Sequence, residues 1–315
     1  MIAAPDSLLL PPTRARARRW IAWAAGVTLL NTAGLVAGVI AVGLSLSAPE
    51  LAAVGAAPDD LDAEPVTISS ASGAKLRGWF IAGRPGAGAV VLLHGVRSNR
   101  LAMLRRARLL KAAGFSVLLF DFQAHGESTG ARITFGRLEG LDAAAAVAFV
   151  RQRLPSERLG AIGTSLGGAA ALLGPAPLPV DALVLEAVYS DIGTAIDNRI
   201  RAVLGAAVGG VVGQPVAYLF ELLLPPFVGA RPADLRPIDH IVKVAAPLFV
   251  VCGTRDDRTI VAEAKAMFDR AAEPKQFWAV DGAGHFDFER YAPEEYRQRI
   301  LPFLVEWLRS APQRT

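Results

Sequence analysis

The stretch Leu159–Gly168, LGAIGTSLGG, limits the folds open to this chain more than any other. A short apolar run leads into Gly163-Thr164-Ser165-Leu166-Gly167, and small residues suited to a helix follow. In the pattern G-x-S-x-G the serine sits on a strand-to-helix turn so sharp that glycines are needed two positions before and after it. The turn lifts the hydroxyl above the sheet edge. The following helix aims its N-terminus at the same spot, where oriented N–H groups can hold an oxyanion. The five-residue pattern is short, so its meaning depends on what the rest of the chain places around it.

The surrounding pattern is that of a sheet layered with helices. Val66-Thr67-Ile68 and Leu76 to Ala82 flank a turn at Ala71-Ser72-Gly73, which predicts a hairpin. Ala89 to Leu93, Val117 to Phe120, Leu159 to Ile162, Leu183 to Leu185, Leu248 to Val251 and Phe277 to Val280 are short continuous apolar runs. Strands buried on both faces of a parallel sheet read this way. Helical periodicity runs from Leu101 to Gly114, over residues 137–153, and from Pro293 to Leu308, where Ile300, Phe303, Leu304, Trp307 and Leu308 share one face. The alternation predicts an α/β fold with a doubly wound, mostly parallel sheet and an antiparallel start. Functional residues in such sheets gather at the carboxyl ends of the strands.

The N-terminal region is different. Arg14, Arg16, Arg18 and Arg19 precede Trp20 to Leu46, a run of 27 residues without a charge. As a helix it rises about 40 Å, more than the hydrocarbon core of a bilayer requires. A cleavable signal peptide usually has an apolar core of about 7–15 residues, so an uncleaved transmembrane signal anchor is expected. The arginines favour a cytoplasmic N-terminus and an extracytoplasmic body. Gly34 and Gly38 form a G-x-x-x-G, read as incidental in a span this rich in Gly and Ala. The expected organisation is a basic tail (1–19), the anchor (20–46), an Ala/Pro/Asp-rich linker (47–64) and one domain (65–315). Of 33 basic and 29 acidic residues, four arginines and one aspartate lie in residues 1–46, so the body is nearly neutral and no nucleic-acid partner is implied. A single cysteine, Cys252, rules out an internal disulfide framework or a cysteine zinc site. No phosphate loop, dinucleotide fingerprint or metal-ligand cluster appears, and no cofactor is expected.

A serine hydroxyl needs an adjacent base, usually a histidine that is itself oriented by a carboxylate. Two histidines follow Ser165. His240 lies in PIDHIVKV ahead of a strand, whereas His285 lies in Asp281-Gly-Ala-Gly-His285, a glycine-rich loop after the last strand that can bring an imidazole over the sheet edge. For the acid, the run Leu248–Val251 ends at Gly253-Thr254-Arg255-Asp256-Asp257. Either aspartate can face the site or cap the helix beginning near Ile260, and Glu186 is a third carboxylate at a strand end. The N–H of Leu166 and that of Val96, in the loop His94-Gly95-Val96, are the two expected oxyanion donors. His94 reads as a hydrogen-bonded residue holding that loop. Arg97, Asn99 and Arg100 read as a solvated helix start, with binding of a substrate carboxylate or phosphate as the alternative.

LLHG at 92–95, DFQAHGES at 121–128, GTSLG at 163–167, GTRDD at 253–257 and GAGH at 282–285 stand in an order and spacing that resembles the alpha/beta-hydrolase superfamily, in its serine esterase, lipase and aminopeptidase-like branch. The resemblance covers about residues 65–315. It implies Ser165 as nucleophile, Asp256 as acid and His285 as base. Gln123-Ala124 departs from the Arg-Gly that relatives commonly carry before His-Gly, and members with an aspartate nucleophile are disfavoured by the serine at the elbow. An insertion of about 190–246 is expected to form a helical cap. Its uncharged segment Ala202–Phe220 is not read as a second span, because Gln214-Pro215 and several glycines interrupt it. Val211, Val212, Tyr218 and Leu222 are expected to face an acyl substrate or the bilayer surface. The expected activity is hydrolysis of an ester, thioester or amide of a small or lipid-like acyl substrate. Acyl transfer, peptidase activity or a non-catalytic binding module of the same fold are the alternatives, and the sequence leaves the oligomeric state open.

Overall fold

A computed structural model describes residues 14–223, 225–285 and 287–309, so the basic tail expected at the N-terminus lies outside the described residues as far as residue 13. The chain divides into two units, one ending at Val42 and the other beginning at Gly43.

Helix α1 (Arg14–Ser47) makes up the first unit and continues for one turn into the second. Trp20, Ile21, Trp23, Leu29 and Leu30 are exposed along it. Over Arg16–Ser47 it is, among the described residues, the one helix long and apolar enough to cross a membrane, a property that signal sequences share.

In the second unit the order is β1 (Glu50–Leu51), β2 (Ala63–Ser69), β3 (Lys75–Ile81), β4 (Ala89–Leu93), α2 (Leu104–Ala113), β5 (Ser116–Phe120), β6 (His125–Gly126), α3 (Arg137–Arg153), β7 (Leu159–Thr164), α4 (Leu166–Leu173) and β8 (Ala182–Glu186). Then come α5 (Ile192–Leu223), α6 (Pro225–Val228), α7 (Pro237–His240), β9 (Leu248–Gly253), α8 (Val261–Arg270), β10 (Lys275–Val280), α9 (Phe288–Tyr291) and α10 (Pro293–Leu308). The main sheet has eight strands in the order β10-β9-β8-β7-β4-β5-β3-β2. Strand β3 is antiparallel to β2 and to β5, and the other neighbours are parallel.

Every residue of β4, β5, β8 and β9 is buried, which is why these strands lack polar alternation. One face carries a core with Val91, Leu93, Leu118, Ala146, Val150, Leu185 and Val250, covered by α3, α4 and α8. The other carries Val90, Leu92, Leu119, Ile162, Val184 and Phe249, covered by α2 and α10. Apolar area buried on both faces is the main force holding the strands in place.

Two segments differ from the sequence expectation. Residues 48–62, expected within a linker, lie along the domain: Glu50–Leu51 pairs with His125–Gly126, the N–H groups of Val54 and Gly55 donate to the Glu127 carboxylate, and Leu61 is fully buried. Helix α5 holds most of the insertion. It breaks at Gly205 (φ 76°, ψ 162°), and Pro215 removes one helical hydrogen bond further on.

Candidate active site

The turn after β7 holds Ser165 at φ 51° and ψ −111°, a strained geometry for a residue with a side chain. The glycines on either side make it possible. A Cβ on Gly163 would come within 2.6 Å of the Gly168 nitrogen, and one on Gly167 within 2.2 Å of the Leu93 carbonyl oxygen. The Ser165 N–H donates to the Glu186 carbonyl at 2.7 Å, which ties the turn to the end of β8.

His285 stands in the loop after β10 and Asp256 in the loop after β9. The imidazole Nδ1 lies 2.8 Å from Asp256 Oδ2, and Nε2 lies 3.3 Å from Ser165 Oγ. A carboxylate opposite Nδ1 requires the proton on that nitrogen, leaving Nε2 as an acceptor for the serine hydroxyl. The second oxygen of Asp256 accepts from the N–H groups of Arg258 and Thr259 at 2.8 and 2.9 Å, so the carboxylate has a fixed orientation. Thus Asp256 both braces the turn before α8 and faces the imidazole.

The other candidates are not drawn into this line. Asp257 is exposed, and His240 lies in α7. Glu186 is committed elsewhere: its carboxylate accepts from Arg106 at 2.6 Å, Thr164 Oγ1 at 2.8 Å and the Tyr296 hydroxyl at 2.6 Å. Arg106 is buried beside it. Burial works against its charge, but Glu186, Tyr296 and Asp287 outweigh that and push its pKa well above the ordinary range. This cluster lies under the serine turn and was not anticipated, because α2 carries three arginines and a lysine and nothing in the sequence singles out Arg106 as the buried one.

Val96 and Leu166 line the same cavity as Ser165. The N–H of Val96 donates to no described group, and Leu166 opens α4, where the first N–H groups have no partner within the helix. Next to Val96, Arg97 takes φ 53° and donates its N–H to His125 Nε2 at 3.1 Å. His125 Nδ1 faces the Gln123 carbonyl at 2.9 Å. His94 is bonded likewise, with Nδ1 2.8 Å from the Gly95 carbonyl and Nε2 accepting from the Phe122 N–H at 3.0 Å. Burial and the neighbouring His125 push the His94 pKa down to about 3, so it is neutral near pH 7.

Arg100 is not a solvated residue at a helix start. It is buried, pairs with Asp121 and Glu127, and stacks over Trp79 at 4.4 Å, so no charge is left for a substrate. Asn99 caps the following turn by accepting from the Leu101 N–H. Arg97 pairs with Glu50 and donates to the Ser45 carbonyl while also lining the cavity. The loop that departs at Gln123-Ala124 keeps its course by other means: the Gln123 amide donates to Glu139 at 2.9 Å, and Ala124 takes φ 59° without a glycine.

The cavity above Ser165 is almost wholly apolar. Phe135, Ile192, Ile196 and Phe220 line it, with Gly43 and Leu46 from the last turn of α1 and the half-buried Arg199. Of the residues expected to face either the substrate or the bilayer, none lines the cavity: Val211, Tyr218 and Leu222 point outward, which leaves the bilayer side of that expectation, and Val212 is half-buried. Among the described residues no group of three His, Cys, Asp or Glu is placed to hold a metal ion.

The strand order, the serine turn and the helices on both faces define an alpha/beta-hydrolase fold. The family model described as serine aminopeptidase, S33, matches residues 84–215. An esterase of Pyrococcus furiosus superimposes with a TM-score of 0.69 at 28% identity, over 84% of this chain and 98% of that one. An uncharacterized protein of Mycobacterium tuberculosis is 28% identical over 243 residues, 76% of this chain and 79% of its own length. The uncharacterized protein YfhR of Escherichia coli is 25% identical over 262 residues, 80% of this chain and 84% of the relative.

Proposed function

We propose that the protein is a serine hydrolase, anchored in the membrane by α1, that cleaves a carboxylic ester, thioester or amide through a covalent acyl-enzyme. The observation that carries this reading is the line Asp256 Oδ2–His285–Ser165 Oγ, with separations of 2.8 and 3.3 Å. His285 Nε2 takes the hydroxyl proton as Oγ attacks the acyl carbon. Asp256 steadies the imidazolium that forms. The N–H groups of Val96 and Leu166 receive the oxyanion of the tetrahedral intermediate. When that intermediate collapses, the bond from the acyl carbon to the leaving oxygen, sulfur or nitrogen breaks and the departing group takes the proton from His285. Water then attacks the acyl-enzyme with the same histidine as base, releasing the acid and restoring Ser165.

The apolar lining supports an acyl chain as the group bound beside the serine. Retention of the anchor is supported by the way the last turn of α1 is built into the domain: the Ser47 carbonyl accepts from the Ile133 N–H at 2.8 Å, and Ser47 is buried. The arginines before Trp20 support a cytoplasmic N-terminus and an extracytoplasmic catalytic domain. Labelling with a fluorophosphonate probe tests the chemistry. The full chain is expected to be labelled, and Ser165→Ala is not; a folded, accessible chain that takes up no label overturns the reading.

A further inference from the structure

The apolar run that begins at Trp20 and the wall of the cavity above Ser165 meet within one helical turn of sequence. Trp20 to Val42 is 23 residues, which as a helix rises about 35 Å against a hydrocarbon core of about 30 Å. A helix from Trp20 has thus covered the hydrocarbon core by Val42, and the uncharged run goes on to Leu46. Gly43 and Leu46, the next residues on that helix, line the cavity.

No slack follows. The Ser45 carbonyl is held by Arg97, the Ser47 carbonyl by Ile133, Glu50–Leu51 by His125–Gly126, and Val54 and Gly55 by Glu127. The residues that wall the cavity therefore follow Val42 within about one helical turn of sequence. The cap agrees with this placement. Val203, Val208, Val211, Tyr218 and Leu222 are between 55% and 82% exposed, a set of large apolar side chains that water does not favour on a monomer's surface.

We infer that the substrate is an acyl ester resident in the membrane, whose chain passes from the bilayer into the cavity between Leu46 and Phe220 without first equilibrating with bulk water. This inference rests on the reading of Ser165 as nucleophile, and it adds the physical state of the substrate and its route of entry. The bond broken is still that between the acyl carbon and the ester oxygen.

The test uses the full chain in phosphatidylcholine vesicles carrying p-nitrophenyl palmitate, with p-nitrophenyl acetate in the aqueous phase as the matched soluble ester. Adding empty phosphatidylcholine to the same vesicles at fixed total ester is expected to lower palmitate turnover in proportion to the surface mole fraction. A rate that ignores surface dilution overturns the inference. A second arm inserts a Gly/Ser spacer of about 20 residues, with a root-mean-square reach of about 25 Å, between Ala41 and Val42. Palmitate turnover is expected to fall about tenfold as the surface-bound ester loses its high effective concentration, with acetate turnover and fluorophosphonate labelling retained. A fall of less than about twofold in a labelled chain overturns the proposal on the same ground. Should the spacer chain lose its label, surface dilution of the parent decides alone. If the parent itself takes no label, it is the serine hydrolase reading that fails.

Discussion

Two places along the rim of the sheet carry an aspartate and histidine, and they are built to opposite ends. At the ends of β4 and β5, His94, His125 and Asp121 are fully buried, and both ring nitrogens of each histidine meet a backbone group. Asp121 accepts from the N–H groups of Arg100 and Glu127 as well as the Arg100 guanidinium. At the ends of β7, β9 and β10, Asp256 is likewise fixed by backbone donors, but the outer nitrogen of His285 faces a hydroxyl that lines an open cavity. The difference lies in what the second imidazole nitrogen meets. A backbone partner makes the histidine a brace, and a side-chain hydroxyl at a cavity gives it something to do.

The comparison breaks most sharply at Ser165 and His285. Ser165→Ala or His285→Ala is expected to lower kcat by about 10⁴-fold or more, with a melting temperature within about 2 °C of the parent, because neither side chain braces the fold. Asp256→Asn is expected to cost a comparable 10³–10⁴-fold, roughly, since it allows the wrong imidazole tautomer while keeping an oxygen for Arg258 and Thr259. Steady-state turnover of p-nitrophenyl esters, read beside calorimetry, checks all three. If any of them unfolds the protein instead, the division between brace and chemistry is wrong.

The same test is expected to come out reversed on the other side of the rim. Arg100→Met leaves the Asp121 carboxylate buried with its ion-pair partner gone, which costs about 3–5 kcal/mol. That corresponds to a drop of very roughly 6–20 °C in melting temperature for a domain of this size. Below that temperature, fluorophosphonate labelling of Ser165 is expected to persist. Loss of labelling in a folded Arg100→Met protein would tie the brace directly to the chemistry.

Acid sharpens the contrast further. The unfolded chain protonates His94 near its ordinary pKa of 6.5, whereas the folded state holds it neutral down to about 3. The unfolded state therefore binds more protons in that window, and the contribution of His94, full above about 6.5, is lost as the pH falls toward 3, on the order of a few kcal/mol. Asp142 acts with the opposite sign. Burial raises its pKa from 3.8 to about 6, so its contribution is full below about 4 and lost as the pH rises through 6. The two slopes partly cancel between pH 4 and 6. Urea titrations across that range are expected to show a shallow profile for the parent, a falling profile with rising pH for His94→Gln, and a steeper rise for Asp142→Asn.

The sheet and the serine turn could be read in the sequence because their physics is local. A strand buried on both faces has to be apolar throughout, and a turn that brings Gly167 up against the Leu93 carbonyl leaves no room for a side chain. The braces and the cavity walls could not be read so directly. Arg100 and Arg106 look like surface charges until their carboxylate partners, 21 and 80 residues away, fold over them. Residues 48–62 read as a tether by composition, yet the pairing of Glu50–Leu51 with His125–Gly126, the bonds of Val54 and Gly55 to Glu127 and the burial of Leu61 lay them along the domain. In α5, the break at Gly205 resets the helical phase, so Ile192 and Ile196 before it and Phe220 after it line one cavity that no single period describes.

The smallest expected effect tests how the brace tolerates its departure from the family pattern. Ala124 holds φ 59° in the loop between Gln123 and His125, a left-handed conformation that costs a residue with a Cβ about 1–2 kcal/mol. Ala124→Gly removes that strain but also frees the unfolded chain, which returns about 0.4–1 kcal/mol. The net gain is therefore expected to lie between about zero and about 1.6 kcal/mol, seen as a rise of at most about 6 °C in melting temperature, with ester turnover unchanged. The Gln123 amide bond to Glu139 has to hold the loop in either case, so Gln123→Ala is expected to destabilise the Ala124→Gly background by about as much as the parent. A stabilisation that appears only with Gln123 in place would mean the two replacements act as one unit, with the glutamine selecting the strained turn rather than merely following it.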